Sequence, residues 1–254
     1  MKIGIAGCTG RMGRLLSAEV SAAPDLYLAG GTTRDKDIPE NSPPILQDAE
    51  DLFAIADLVI DFTAPDASVR HALIAGRLGK PLVIGTTGLN DAHMASIREA
   101  AKTAPILVTP NASLGVNVLI ELVKCAAKSL GPEFAIEIFE THHSKKVDAP
   151  SGTALALGRA AAEARGTQIS TKAVFDRHGH TGERSRDEIG FASLRGGDVV
   201  GDHTVFFYGQ GERLELTHRA TDRALFARGA VQAARWLAAQ PPGFYSMKDM
   251  LGLG

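Results

Sequence analysis

Residues 140–154 contain the densest group of side chains in this sequence that could do chemistry. The stretch begins at Glu140 and holds two adjacent histidines, His142 and His143, followed by two adjacent lysines. Ser151, near its end, is a preferred residue at a helix N-cap, and the first turn of a helix has backbone N–H groups without intrahelical partners. Such a turn binds carboxylates, while histidine and lysine supply positive charge and transfer protons. The stretch therefore predicts a site for a small anionic substrate.

Glu140, His142 and His143 could instead bind a metal ion. Adjacent residues of a strand point to opposite faces, however, so the two histidines would not share one ion, and we predict no metal site. A solvated basic loop is the other alternative, which would explain Lys145 but not the whole stretch. The remaining histidines are scattered and are expected to be structural or exposed: His71, His93, His178, His180, His203 and His218.

A glycine-rich segment near the N-terminus predicts a dinucleotide-binding turn. Gly7, Gly10 and Gly13 follow an apolar run and precede a helical pattern. Glycines at such positions let the backbone turn sharply and approach a pyrophosphate, which the N-terminus of the helix attracts. The spacing G-x-x-G-x-x-G departs from the commoner G-x-G-x-x-G. A tight strand-to-helix turn without a ligand is the alternative interpretation.

Thr33 and Arg34 bear on the choice of cofactor. In the usual fingerprint an acidic residue about 20 positions after the glycines binds the adenosine ribose, but here Thr33 occupies that position and Arg34 follows it. Threonine does not repel a 2′-phosphate, and arginine can pair with one. We therefore expect NADPH to be used at least as readily as NADH. The alternative is that Arg34 is a solvated loop residue.

Two polar corners follow later apolar runs, at residues 85–88 and 109–112. In a doubly wound sheet the ligand binds outside the carboxyl ends of the strands. We therefore expect both corners to line that crevice, although each of them alone would more often be an ordinary loop.

The pattern of apolar runs predicts how these residues are positioned. Over residues 1–112, short apolar runs alternate with helical patterns, which is typical of βαβ units and a parallel sheet covered on both faces. Strands are expected at 2–6, 26–30, 56–62, 81–84 and 106–108, helices at 11–22, 65–78 and 91–102, and a loop at 32–41. This pattern predicts a doubly wound, Rossmann-like α/β domain for a dinucleotide.

The pattern changes after about residue 111. Helices are expected at 115–130, 152–165 and 222–239, the last ended by residues 241–243, and strands at 134–141, 188–194, 203–208 and 213–218. Residues 209–211 give a hairpin signal, and successive strands without helices between them favour a mostly antiparallel sheet. We predict a smaller α+β domain over residues 113–222, which contains a mobile loop at 177–187.

The composition narrows the class of protein. The chain has 254 residues, 44% of them hydrophobic, and 27 Lys and Arg against 29 Asp and Glu give a net charge of −2. This balance argues against a nucleic-acid partner and against disorder. Cys8 and Cys125 do not suggest a disulfide framework, no apolar run is long enough to span a membrane, and the motif at the N-terminus leaves no room for a signal peptide. We expect a cytoplasmic protein without a membrane partner.

The sequence resembles the dihydrodipicolinate reductase family over essentially its whole length. The most specific similarity is the string from His142 to Thr153. Other matching segments are residues 7–13, 60–63, 85–88, 111–117, 179–184, 195–198 and 211–215. The resemblance implies a homotetrameric enzyme that uses NADH or NADPH to reduce 4-hydroxy-tetrahydrodipicolinate, a small dicarboxylate of diaminopimelate and lysine biosynthesis.

The resemblance also implies roles for individual residues. His142 and Lys146 would handle protons, and His143, Ser151, Gly152 and Thr153 would hold the substrate. The cofactor would be bound by Gly7, Cys8, Thr9, Gly10, Arg11, Met12, Thr33, Arg34, Phe62, Gly85, Thr86, Thr87, Thr109, Pro110, Asn111 and Ala112. The family often has an acidic residue at the position of Thr33 and a bulky apolar one at that of Ala112. Its last helix returns to the nucleotide domain, which predicts domains of 1–112 with 223–254 and of 113–222.

Two other functions compete with this one. Another two-domain NAD(P)-dependent dehydrogenase would not need the string of histidines and lysines. A non-catalytic protein that senses dinucleotides would be expected to have lost His142 or Lys146, and both are present.

Overall fold

A computed structural model describes residues 1–35, 38 and 42–253. The chain divides into two compact units, one of Met1–Leu114 with Ala224–Gly254 and one of Gly115–Arg223. The predicted functions of these units as nucleotide-binding and substrate-binding domains stay predictions. Within the described residues, no helix is both long and apolar enough to cross a membrane.

The described part of the first unit is built on a six-stranded parallel sheet in the order β11-β5-β4-β3-β1-β2. Its strands are β1 Lys2–Ala6, β2 Tyr27–Thr32, β3 Leu58–Asp61, β4 Leu82–Ile84, β5 Pro105–Val108 and β11 Gly243–Tyr245. Its helices are α1 Arg11–Ala22, α2 Ala49–Ile55, α3 Pro65–Leu78, α4 Asp91–Ala100, α8 Ala224–Leu237 and α9 Met247–Leu251. Helix α5 begins at Leu114, the last residue of the first segment of this unit.

Both faces of this sheet are buried, as the apolar strands predicted. Successive residues of β3 lie in two different hydrophobic clusters, because neighbouring side chains of a strand point to opposite faces. Leu58 packs in the cluster that contains residues of α1 and α8. Val59 packs in the cluster that contains residues of α2, α3 and α4. The carboxyl ends of β1, β3, β4 and β5 are thereby held at one edge of the sheet.

The second unit contains a five-stranded sheet in the order β10-β9-β6-β8-β7. Its strands are β6 Ala135–His142, β7 Ala173–Val174, β8 Ile189–Arg195, β9 Gly201–Tyr208 and β10 Arg213–Ala220, and its helices are α5 Leu114–Leu130, α6 Gly152–Ala164 and α7 Ile169–Lys172. The predicted hairpin is confirmed, since β9 and β10 pair antiparallel from Tyr208↔Arg213.

The sheet is mostly antiparallel, as predicted, because β9 pairs antiparallel with both β10 and β6. Strand β8, however, pairs in parallel with β6 and with β7. The pattern of apolar runs did not indicate these parallel pairs. Helix α6 lies between β6 and β8 in the chain and provides the crossover that a parallel pairing needs.

Five short elements were also missed: α2, α7, β7, β11 and α9. Short elements give little periodic signal, and α2 depends on a cap, since the Asp48 side chain accepts from the backbone N–H of Asp51. Two of these elements follow the last long helix, because β11 pairs with β5 and α9 comes after it. Of the loop expected at 32–41, Thr32 belongs to β2, and residues 36, 37 and 39–41 lie outside the described residues.

The stretch 177–187, predicted to be a mobile loop, is irregular but carries defined ion pairs. Arg177 donates to both carboxylate oxygens of Glu137, at 2.7 and 3.0 Å, and Arg184 donates to the same carboxylate at 2.9 Å. These bonds hold the stretch to the middle of the sheet.

Candidate active site

The carboxyl ends of the parallel strands in the first unit border a cavity of about 450 Å³. It brings together most of the residues predicted to bind the cofactor: Gly10, Arg11, Met12, Phe62, Gly85, Thr86, Thr87, Pro110, Asn111 and Ala112. Thr63 and Phe226 complete its lining. The two polar corners at residues 85–88 and 109–112 therefore do meet at one edge of the sheet.

A second cavity, of about 570 Å³, adjoins the first at Gly10, Phe62 and Thr63, which line both. It is lined by Gly7 and Thr9 of the glycine-rich turn and by Thr33 and Arg34, the two residues predicted to face the ribose. The two cavities, which share Gly10 of the glycine-rich turn, are together called the groove of the first unit.

The glycine-rich turn is shaped by close backbone contacts. Gly7 has φ +77°, a conformation that side-chain-bearing residues rarely adopt, and a Cβ atom on Gly13 would lie 2.1 Å from the carbonyl oxygen of Gly7. Gly10 is the N-cap of α1 and is exposed. The first turn of α1 thus presents backbone N–H groups beside the groove, and the positive end of the helix dipole favours an anion there. These features fit a dinucleotide pyrophosphate.

Cys8 and Thr109 line neither of these two cavities, and the hydroxyl of Thr86, which lines the first, is engaged by neighbouring residues. Cys8 is 2% exposed, borders a third cavity with Arg14 and Ser17, and its backbone N–H donates to Thr32. Burial raises the pKa of the Cys8 thiol, so the thiol stays protonated at neutral pH. Thr109 is buried and its hydroxyl donates to the carbonyl of Asn111, so it shapes its corner from within. The Thr86 hydroxyl accepts from Ser68 and from the backbone of Thr63.

Asp35 was missed by the sequence analysis. Its Oδ2 atom accepts a 2.7 Å hydrogen bond from the Thr9 hydroxyl, and its backbone N–H donates to the Thr33 hydroxyl at 3.0 Å. Thr33 itself carries no charge against a 2′-phosphate, but Asp35 places a carboxylate in the same cavity. An acidic residue two positions after the expected one was the available signal.

The second unit holds a buried carboxylate at the end of β6. Glu140 is 1% exposed, and its Oε2 atom lies 2.6 Å from Nδ1 of His142. Two guanidinium nitrogens of Arg195, on the adjacent strand β8, donate to its two oxygens at 2.9 Å each. The backbone N–H of Ser151 donates to Oε1 at 3.2 Å. Arg195 belongs to a segment that carried the resemblance, but no local pattern indicated a role for it.

These contacts shift the pKa values of Glu140 and His142. Burial opposes ionisation of Glu140, but the hydrogen bonds from Arg195, His142 and Ser193 outweigh it and lower its pKa to about 2. Glu140 is therefore an anion at neutral pH. Burial lowers the pKa of His142 below its usual value, while the hydrogen bond and charge of Glu140 act in the opposite direction.

Ser151 is the N-cap of α6, as predicted, and its hydroxyl accepts from the backbone N–H of Ala154 at 3.1 Å. The same hydroxyl lies 2.9 Å from Nε2 of His203. Ser151 is 2% exposed, whereas Gly152 is exposed and a Cβ atom there would face open space. Ser151 thus supports the turn from inside, and the backbone at Gly152 is the part that a ligand can approach.

His203 was expected to be structural and is one of the buried residues of this region. Its ring meets that of His142 edge to face, with centroids 5.1 Å apart. Burial is the main cause that lowers the pKa of His203 to about 4. The ring is therefore neutral at neutral pH and adds no charge beside His142.

Lys146 and His143, two other polar residues of the stretch, are paired near the surface. The Lys146 ammonium donates to both carboxylate oxygens of Asp148 at 2.8 Å. Nη2 of Arg223 lies 2.9 Å from Nε2 of His143, which accepts that hydrogen bond. Lys145 is exposed, in agreement with the alternative interpretation of that residue. Arg223 stands 80 residues from His143 in the chain, and local pattern could not have linked them.

Within the residues that the structure describes, no group of three or more His, Cys, Asp or Glu is placed to hold a metal ion. Glu140, His142 and His143 are instead occupied by hydrogen bonds to one another or to arginines.

A doubly wound parallel sheet with a glycine-rich first turn, joined to a separate α+β unit with buried acid–base residues, defines the class of two-domain, dinucleotide-dependent oxidoreductases. Within that class, the chain belongs to the dihydrodipicolinate reductase family. Residues 1–112 match the family model for the N-terminus of dihydrodipicolinate reductase, and residues 115–251 match the model for its C-terminus.

Curated relatives and a solved structure agree with this assignment. The chain is 48% identical to the 4-hydroxy-tetrahydrodipicolinate reductase of Cupriavidus pinatubonensis, over 100% of both chains. It is 49% identical to that of Beijerinckia indica, over 100% of this chain and 98% of the relative. The fold is similar to that of dipicolinate-bound dihydrodipicolinate reductase from Paenisporosarcina sp. TG-14, with a TM-score of 0.82, 23% identity and 97% of each chain covered. The predicted family and fold class are confirmed.

Proposed function

We propose that this protein is a 4-hydroxy-tetrahydrodipicolinate reductase that uses NADH or NADPH. The observation that carries the proposal is the group formed by Glu140, His142 and the N-terminus of α6, where an ionised acid, a histidine and the exposed backbone of Gly152 lie together. The relatives at 48–49% identity have that activity in their names, and the distant solved structure holds dipicolinate.

The groove of the first unit would hold the cofactor, which when bound supplies a hydride. The backbone at Gly10, Arg11 and Met12 would bind the pyrophosphate at the N-terminus of α1. The ribose end would lie beside Thr33, Arg34 and the missed carboxylate of Asp35. Gly85, Thr86, Thr87, Pro110, Asn111 and Ala112 would line the nicotinamide end, with Phe62 beside them.

The first turn of α6 would bind the substrate. Gly152 and Thr153 lie at the helix N-terminus, where the backbone N–H groups favour a carboxylate. His143, held by Arg223, would bind a carboxylate as well. We assign Ser151 the part of supporting this turn rather than touching the substrate, because its side chain is buried.

His142 and Lys146 would handle the proton. Addition of a hydride to a conjugated ring leaves negative charge on the adjacent carbon, which must be protonated. Nδ1 of His142 is bound to Glu140, so Nε2 is the nitrogen that can give or take a proton. The Lys146 ammonium, which Asp148 holds, adds a cationic donor to the same stretch.

We further propose that the enzyme is a cytoplasmic homotetramer. The face of the second sheet opposite its helices carries Leu194, which is 52% exposed, and Tyr208, which is 38% exposed. Large apolar side chains on one open sheet face are suited to contact with a second copy. Light scattering on the purified protein tests the tetrameric state, and a monomeric mass at micromolar concentration would contradict it.

The activity is tested by following the oxidation of NADH and NADPH in the presence of the condensation product of aspartate semialdehyde and pyruvate. His142→Ala and Lys146→Ala should each lower kcat by about 10²–10⁴ while leaving cofactor affinity unchanged. Lys145→Ala is the matched control, because this neighbouring lysine is exposed. Cofactor binding without any oxidation in the wild type would instead indicate a non-catalytic dinucleotide sensor.

A further inference from the structure

We propose that Glu140 is a positioning residue that fixes the ring of His142 in one tautomer and ties it to the first turn of α6, with Arg195 as the clamp that holds its carboxylate. The inference rests on the proposed function, since it concerns how that site is organised. Glu140 stays ionised and acts through His142.

The geometry determines which nitrogen of His142 carries the proton in the neutral ring. Both oxygens of Glu140 are acceptors, and Oε2 lies 2.6 Å from Nδ1 of His142. A hydrogen bond at this distance requires Nδ1 to be the donor. Nε2 is then left without a proton in the neutral ring and receives it when the ring becomes cationic. The ring therefore exchanges its catalytic proton at one defined atom.

Arg195 connects this pair to the second proposed proton donor. Its guanidinium donates to both oxygens of Glu140 and also to the carbonyl oxygen of Asp148 at 2.7 Å. The side chain of Asp148 in turn holds the Lys146 ammonium. One arginine thus fixes the carboxylate that orients His142 and the backbone of the residue that holds Lys146.

Glu140 also reaches the proposed substrate turn. The backbone N–H of Ser151 donates to its Oε1 atom, directly before the first residue of α6. The carboxylate therefore sets the distance between the ring of His142 and the donors at Gly152. A shift of the carboxylate would move both groups, and small misplacements of this kind lower rates strongly.

The charged and titratable groups that face His142 are Glu140 from β6, Arg195 from β8, His203 from β9 and Lys146 from the following loop. Burial, Lys146 and Arg195 all lower the pKa of His142, and Glu140 alone among these groups raises it. Loss of the Glu140 charge should therefore make the cationic form of the ring less available at neutral pH.

A purely structural buried ion pair is the competing explanation, and Glu137 provides a matched control for it. Glu137 lies on the same strand, and within the described part of the chain its carboxylate is bound by Arg177 and Arg184 and by no histidine. Glu137→Gln removes an arginine-bound carboxylate from β6 without touching His142.

Glu140→Gln keeps the size of the side chain but presents an amide that donates to Nδ1 and so favours the opposite tautomer. We expect kcat to fall about 10²-fold or more, because reversal of a catalytic histidine's tautomer can cost up to about 10⁴. Cofactor affinity should not change. The basic limb of the pH profile of kcat should move to lower pH, because the group that raises the pKa of His142 is lost. Glu137→Gln should keep the wild-type kcat and profile.

A measurement on the wild type makes the test independent of how the variants fold. Long-range ¹H–¹⁵N spectra of ¹⁵N-histidine-labelled protein report the tautomer of each ring, and the His142 signals are identified by their absence in His142→Ala. We expect Nδ1–H for His142 at neutral pH. An Nε2–H ring, or a Glu140→Gln enzyme with the kcat and pH profile of the wild type, would overturn the inference. A wild type that shows Nδ1–H but oxidises no cofactor would refute the proposed function alone.

Discussion

The hydroxyl of Thr9 donates a 2.7 Å hydrogen bond to Oδ2 of Asp35 and so joins the glycine-rich turn to a carboxylate at the end of the groove that we propose holds the ribose. Arg34 lines the same cavity. A carboxylate there accepts from a ribose 2′-hydroxyl and repels a 2′-phosphate, whereas the arginine attracts the phosphate. The expectation that NADPH is used at least as readily as NADH rested on Thr33 and Arg34 alone, and Asp35 opposes it.

Asp35→Asn should raise the affinity for NADPH relative to NADH. Both Asp35 and Arg34 are exposed, so we expect a change of only about three- to tenfold in the ratio of dissociation constants. Arg34→Ala should move the ratio in the opposite direction. Calorimetric titration of both cofactors at moderate salt measures it. Asp66→Asn is the control, since Asp66 lines the same cavity but its carboxylate is bonded to His93 rather than to Thr9. An unchanged ratio in Asp35→Asn would show that Asp35 does not select the cofactor.

Gly10 and Gly13 should separate cofactor binding from folding. A Cβ atom on Gly13 would lie 2.1 Å from backbone of Gly7, whereas one on Gly10 would lie 3.3 Å from it. Gly13→Ala should therefore destabilise the protein by about 1–3 kcal/mol, as overpacking does. Gly10→Val should remain folded but lose binding of both cofactors, because its side chain would occupy the space beside the first turn of α1.

Thermal unfolding and nucleotide titration of the two variants measure the two effects. Wild-type affinity in a folded Gly10→Val protein would mean that the turn does not bind the pyrophosphate. Wild-type stability of Gly13→Ala would mean that α1 can move away from Gly7 at little cost.

His203 should make stability depend on pH. Burial lowers its pKa from the usual 6.5 to about 4, so the unfolded chain binds more protons than the folded one between these values. Its contribution is complete above pH 6.5 and is lost as the pH falls. The free energy of unfolding should fall by about 2 kcal/mol from pH 6.5 to about pH 5, at 1.36 kcal/mol per pH unit. Above pH 5 the carboxylate of Glu140, with its pKa of about 2, contributes little to this dependence.

Urea unfolding of the wild type and His203→Gln over this range measures the dependence. The variant should be less stable than the wild type at pH 7, because it loses packing against His142, but its stability should fall less toward pH 5. Parallel losses in the two proteins would show that His203 is not the group responsible.

The sequence by itself determined the features that arise from neighbouring residues. The parallel sheet of the first unit followed from apolar strands that alternate with helices, and the turn at Gly7–Gly13 followed from its place between β1 and α1. Ser151 at the N-cap of α6 was predictable for the same reason, because a cap satisfies donors within the next three residues. Lys146 and His142 stood out because they share one short stretch.

Only the tertiary structure decided which distant residues complete the site. Arg195 lies 55 residues from Glu140, and it reaches the carboxylate because β6 and β8 pair in parallel with His142 opposite Arg195. His203 stands beside Glu140 because β9 pairs antiparallel on the other edge of β6. Such a register depends on how whole strands bury one face together. No local pattern contains that information, so the partners that set the charge and tautomer of His142 appear only once the sheet has formed.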